Sequence, residues 1–173
     1  TLVISPLIAL MKDQVDNLRK KGIMNVAFLN SSLTESEQED IYSRIKDQDL
    51  KILYLAPETL LNNKLLNALR EANMNFIAID EAHCISTWGD DFRPDYLKIR
   101  EVIEELKNPP LLALTATANK KVEQDILNQL NIHLDVFKDT FDRKNLLLSV
   151  VKLKPGQKKN HIAKPFCPRL FVR

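Results

Sequence analysis

Glycine is scarce in this 173-residue chain, with three residues at positions 22, 89 and 156. A backbone cradle for nucleotide phosphates, G-x-x-x-x-G-K-[ST], needs closely spaced glycines followed by lysine, so these residues exclude it. Cysteine is nearly absent too. Cys84 and Cys167 form neither a disulfide framework nor a zinc spacing, and His83 beside Cys84 makes a poor chelating pair, so no zinc is expected. No apolar run approaches the roughly 20 residues that cross a bilayer, and Thr1 does not open a basic, apolar, small-residue signal. The expectation is a protein with no membrane partner, intracellular, and cytoplasmic (nucleoid) if bacterial. Acids are missing from the end of the chain. Residues 1–142 hold all 23 Asp and Glu against 16 Lys and Arg, a net of −7, and the remaining 9 basic residues lie in 143–173. An acidic body is not drawn to nucleic acid by its overall field, so any such binding falls to local groups. The basic tail either touches phosphates or is a solvated linker.

A composition of 45% hydrophobic and 28% charged residues is that of a soluble globular protein. At this length one domain buries roughly 70% of its unfolded surface. Short apolar runs at Leu2–Ile4, Val26–Leu29, Ile52–Leu55, Phe76–Ile79 and Leu111–Leu114 read as strands. Between them lie helical patterns. Pro6 opens a helix with Ile8, Met11, Val15 and Leu18 on one face, and Gly22 ends it. Thr34 and Glu37 form a capping box before Ile41 and Ile45, and Leu60–Leu69 carries a wide apolar stripe. Tyr96, Ile99, Ile103 and Leu106 mark another helix before Pro109 and Pro110, and Val122, Ile126 and Leu130 mark the last. This alternation predicts an α/β fold, a parallel sheet with helices on both faces.

In such a sheet ligands sit beyond the carboxyl ends of the strands. Ser5, Pro57, Asp80 with Glu81, and Thr115 with Thr117 all fall there. The stretch F-I-A-I-D-E-A-H-C-I-S-T-W-G-D-D-F-R-P-D-Y, Phe76 to Tyr96, stands out. Its apolar run stops at two adjacent carboxylates. One can hold hydrated Mg²⁺ while the other orients or deprotonates a water, or the pair can cap the next element. Beyond them Trp88, Phe92, Arg93 and Tyr96 share a segment in which Gly89 and Pro94 forbid a continuous helix. Rings and a guanidinium on a loop suit base stacking; they can also cover the core. The hydroxyls of Ser5, Thr115 and Thr117 can likewise bond local backbone.

The same stretch resembles the Walker B motif and aromatic-rich loop of RecQ-family DNA helicases. V-I-S-P-L-I-A-L-M-K-D-Q-V at Val3 to Val15, Y-L-A-P-E at Tyr54 to Glu58 and L-T-A-T-A at Leu114 to Ala118 resemble the family's other first-lobe motifs, in order, with F-D-R-K-N at Phe141 to Asn145 near the lobe's end. The resemblance implies a RecA-like (P-loop NTPase) helicase lobe lacking its P-loop strand, over residues 1–150, followed by a basic Pro-containing tail, 151–173. It implies ATP and Mg²⁺ as cofactors, and DNA, single-stranded and junction duplex, as partner. Asp80 and Glu81 would hold Mg²⁺ (Asp80 through water) and activate water, with His83, Thr115 and Thr117 linking the nucleotide site to DNA. Ser5, Pro6, Trp88, Phe92 and Arg93 would contact the strand. Two positions depart from the family. Asp90 replaces the usual histidine and sets a negative charge where DNA would lie, and Lys144 replaces a proline.

The expectation is part of an ATP-dependent helicase unwinding duplex DNA in recombination and repair, continuing upstream and downstream of these residues and inactive without P-loop and second lobe. The alternative is a non-catalytic remnant or DNA-binding module. A DEAD-box RNA helicase is a third reading, disfavoured by the loop Ser86–Tyr96.

Overall fold

The computed structural model describes residues 1–88 and 91–138. The expectations placed on Asp90, on Phe141 to Asn145 and on the tail 151–173 lie outside the described residues. Two compact units divide the chain, Thr1–Asp135 and Val136–Arg173, and every element below belongs to the first.

Five strands, β1 (Leu2–Ile4), β2 (Val26–Leu29), β3 (Ile52–Leu55), β4 (Ile77–Ile79) and β5 (Leu111–Ala113), form one sheet in the order β2-β3-β1-β4-β5, all neighbours parallel. Its connections carry α1 (Ile8–Lys20), α2 (Glu35–Lys46), α3 (Asn63–Glu71) and α4 (Ile99–Glu105), and α5 (Lys120–Leu130) follows β5. The right-handed rule for parallel crossovers separates the helices. The step from β1 to β2 runs in one direction and the later steps in the other, so α1 lies on one face and α2, α3 and α4 on the opposite face. In agreement, α2 packs on α3 and α4 on α5.

Register explains where the core sits. Ala27, Leu53, Leu2, Ile77 and Leu111 form one row across the sheet, and Leu29, Leu55, Ile4, Ile79 and Ala113 the next on the same face. Both rows pack into the main cluster with Ile41, Leu65, Leu69, Val102 and Ile126. The other face presents Phe28, Tyr54, Val3, Ala78 and Leu112. These are only half-buried, and Leu112 is exposed. The reason is coverage: α1 packs over β2 and β3, while β5 lies at the far edge. Helices therefore occupy both faces, unequally.

The predicted elements form with local adjustments. Thr34 and Glu37 make the expected capping box on α2. The stripe Leu60–Leu69 is interrupted, because the Asn62 side chain accepts the backbone N–H groups of Lys64 and Leu65 and starts α3 afresh. On α1, Met11 and Val15 are buried, but Ile8 is exposed. Its turn lies at the carboxyl edge of the sheet, where β1 hands over to the helix.

Candidate nucleotide and nucleic-acid site

Hydrogen bonds continue beyond the short strands and align the residues that follow them. Ser5 N–H donates to Leu55 O (3.0 Å), Asp80 N–H to Ile4 O (2.8 Å) and Leu114 N–H to Ile79 O (2.8 Å). Ser5, Asp80 and Leu114 consequently stand abreast at one edge, with Thr115 one residue beyond. The Ser5 hydroxyl donates to Asp80 Oδ2 (3.2 Å), and Glu81 N–H donates to Asp80 Oδ1 (3.0 Å). The Asp80 carboxylate is oriented from both sides.

Glu81 adopts φ 50°, ψ 46°, a left-handed conformation that costs a non-glycine residue about 1 to 2 kcal/mol. Strain of this kind persists only where the surroundings impose it. Here Ala82 N–H donates to Leu114 O (2.8 Å) and Cys84 N–H to Glu81 O (2.9 Å), opening a 3₁₀ turn at Ala82–Ile85. That turn brings His83 Nδ1 within 3.2 Å of Glu81 Oε2 and 3.1 Å of Thr115 Oγ1. A carboxylate oxygen accepts, so a hydrogen on Nδ1 is directed at Glu81. Thr115 Oγ1 also accepts Thr117 N–H (3.2 Å), which ties both threonines to the histidine.

The loop folds back on the same edge. Arg93 donates to Pro6 O (3.3 Å) and to Asp91 Oδ2 (3.4 Å), and its Nε is buried without a hydrogen-bond partner. Ser5 with Pro6 and Arg93, expected as nucleic-acid contacts from distant segments, are thus adjacent. Trp88 is brought elsewhere. It is 60% exposed, and Lys121 Nζ lies 3.2 Å from its ring centroid. Phe92 is half-buried. Tyr96, for which stacking and core packing were both open, belongs to the core at 1% exposure, its hydroxyl donating to Asp80 O (3.0 Å). Burial, then neighbouring Cys84 and Asp80, raises its phenol well above the usual range, so it stays a neutral donor.

Asp80 offers hard oxygen donors beside a second carboxylate, a set that suits Mg²⁺. The phosphate end of a nucleotide finds no such match, since the glycine-rich cradle is absent from the sequence. The ligand atoms of His83, Cys84 and Asp91 lie within 4.8 Å of one another. As a soft-metal site this group is weak: burial, then Asp91, pushes the Cys84 thiol up to about 11, and Asp91 is paired with Arg93.

Two residues escaped the sequence reading. Asp125 of α5 accepts Ser86 Oγ–H (2.7 Å) and Thr87 N–H (3.1 Å) on one oxygen, and Lys121 covers Trp88. The available signal was an acid beside the apolar stripe Val122, Ile126 and Leu130, a placement shared by many solvent-facing acids. A cleft lined by Thr1, Leu50, Leu53, Leu69 and Met74 opens at the opposite, amino end of the strands, away from every residue above.

The fold is that of a helicase domain. The solved Hef helicase domain of Pyrococcus furiosus superposes with a TM-score of 0.55 at 20% identity, covering 78% of this chain and 28% of that one. The chain belongs to the DEAD/DEAH box helicase family, whose model matches residues 1–126, and within it to the RecQ helicases. It is 45% identical over 157 residues to the ATP-dependent DNA helicase RecQ of Haemophilus influenzae, covering 90% of this chain and 25% of that protein. Identity to the RecQ of Bacillus subtilis is 48% over 157 residues (88% and 26%), and to the RecQ-like DNA helicase BLM of Xenopus laevis 40% over 163 residues (90% and 12%). The chain therefore spans about a quarter of the length of the bacterial RecQ proteins it matches.

Proposed function

We propose that these residues form the metal, water and single-strand edge of the first motor lobe of a RecQ-type helicase, which couples ATP hydrolysis to unwinding of duplex DNA in recombination and repair. The observation that carries this reading is the junction of Glu81, His83 and Thr115 beside Asp80, with the loop's Arg93 bonded to Pro6 on the same edge. Asp80, held by Ser5 and by the Glu81 amide, is the residue to hold a Mg²⁺ ion through water. Bound Mg²⁺ supplies charge that neutralises phosphate oxygens during phosphoryl transfer. Glu81 is the general base that orients and deprotonates the attacking water, and His83 fixes the direction of that carboxylate. His83, Thr115 and Thr117 link this base to the edge where Ser5, Pro6, Trp88, Phe92 and Arg93 meet single-stranded DNA or a junction.

In the complete protein, Glu81→Gln is expected to keep ATP binding while turnover falls about 10²-fold, the contribution of a positioned base. Nucleotide binding and phosphate release measured on the same sample check it. Unchanged turnover removes Glu81 from the role, whereas a complete wild-type protein without turnover favours the binding module.

A further inference from the structure

The proposed function assigns no role to α5, yet α5 makes the firmest contacts with the loop. Asp125 Oδ2 accepts both Ser86 Oγ–H (2.7 Å) and Thr87 N–H (3.1 Å), and its other oxygen accepts from Gln129 Nε2 (3.5 Å). The Ser86 oxygen, fully buried, accepts Trp88 N–H at 3.2 Å. One carboxylate thus fixes three consecutive residues, directly or through a buried hydroxyl. The same helix places the Lys121 ammonium 3.2 Å from the Trp88 ring centroid, well inside the roughly 6 Å reach of a cation–π contact. Lys121 and Asp125 are four positions apart, so both project from one face of α5 on successive turns.

We propose that α5 is part of the single-strand site: Asp125 is a positioning residue that holds Trp88 in its stacking pose, and Lys121 binds the backbone phosphate of the nucleotide whose base stacks there. A nucleobase needs one open face of an indole and a cation near its phosphate. Trp88 supplies the exposed ring, and Lys121 reaches from its covered side to a neighbouring anion. Charge-assisted hydrogen bonds are among the stronger ones a partly exposed carboxylate makes, and Asp125 directs two of them at the Thr87 amide and the buried Ser86 hydroxyl. The inference rests on the reading of the loop as a single-strand contact.

Trp88 is the sole tryptophan, so the intrinsic emission of this chain reports the loop alone. Hydrogen exchange at the Thr87 and Trp88 amides and titration with a single-stranded oligothymidylate, followed by that emission, test the proposal. For Asp125→Ala both amides are expected to exchange about 10-fold faster and the oligonucleotide to bind about 10-fold more weakly, with core amides unchanged. Lys121→Gln is expected to leave exchange alone, weaken binding and reduce the salt slope by about 0.7, as loss of one phosphate contact requires. Unaltered exchange in Asp125→Ala overturns the positioning role, and unaltered affinity and slope in Lys121→Gln overturn the phosphate role. Should Asp125→Ala fail to fold, Ser86→Ala removes the hydroxyl link to Trp88; faster exchange at the Trp88 amide with weaker binding is expected, and unaltered exchange there overturns the positioning role. If exchange accelerates but the oligonucleotide leaves the wild-type emission untouched, Asp125 still anchors the loop, while the single-strand reading and the Lys121 assignment both fall.

Discussion

Glu81 combines two features that a sequence shows separately or not at all. Its carboxylate is legible as the second acid of a pair after an apolar run; its left-handed backbone is not, because glutamate has no preference for that region and only the surrounding bonds impose it. Glutamine shares both the shape and the strain, so Glu81→Gln isolates the charge. Cys84 makes the complementary case. The thiol is fully buried beside Asp91, and burial raises it from 9 to about 11. Its folded form therefore holds a proton that the unfolded form releases, and stability falls as pH rises from about 9 towards about 11, where the unfolded chain binds fewer protons. Comparing melting temperatures of the wild type and Cys84→Ala at pH 8 and pH 10 is expected to show a larger drop in the wild type; equal drops remove Cys84 as the source. Iodoacetamide at pH 8 is expected to reach this thiol only after denaturation.

At the scale of elements, the loop and α5 act as one unit. In the complete protein, Trp88→Ala is expected to leave basal ATPase and melting temperature close to wild type and to abolish stimulation of ATPase by single-stranded DNA. A ring that is 60% exposed cannot supply the roughly 3 to 5 kcal/mol that a packed indole contributes. A sharp fall in melting temperature with intact stimulation would return Trp88 to the core. The helices are readable because their apolar residues recur with a period of 3.6, the strands because they are short continuous apolar runs, and the site residues because acids and hydroxyls follow those runs. Which ring of the loop faces water was not readable. Trp88 and Tyr96 are both large and amphipathic, and only the fold shows that Tyr96 is buried with an acceptor in Asp80 O while Trp88 is 60% exposed. Asp125 was hidden for a similar reason: its partners are a backbone amide and a hydroxyl 38 and 39 residues away.

For the molecule as a whole, the order of the sheet puts β5 at an edge, with Leu112 43% and Leu114 49% exposed. An apolar strand edge invites pairing with another chain. The 173-residue chain is expected to self-associate at tens of micromolar, on the order where exposed edges aggregate, and light scattering checks it; a monodisperse monomer counts against an open edge at β5.

The unequal cover of the two faces also reaches the thermodynamics of unfolding. Phe28, Tyr54, Val3 and Ala78 are half-buried and Leu112 is 43% exposed in the folded state, so melting adds less newly hydrated apolar area there than on the covered face. Hydration of apolar surface is the source of the positive heat-capacity change, about 12 to 15 cal/mol/K per residue in fully covered domains. Scanning calorimetry of this chain is expected to give a smaller increment per residue, and its stability accordingly varies with temperature along a broader, shallower dome.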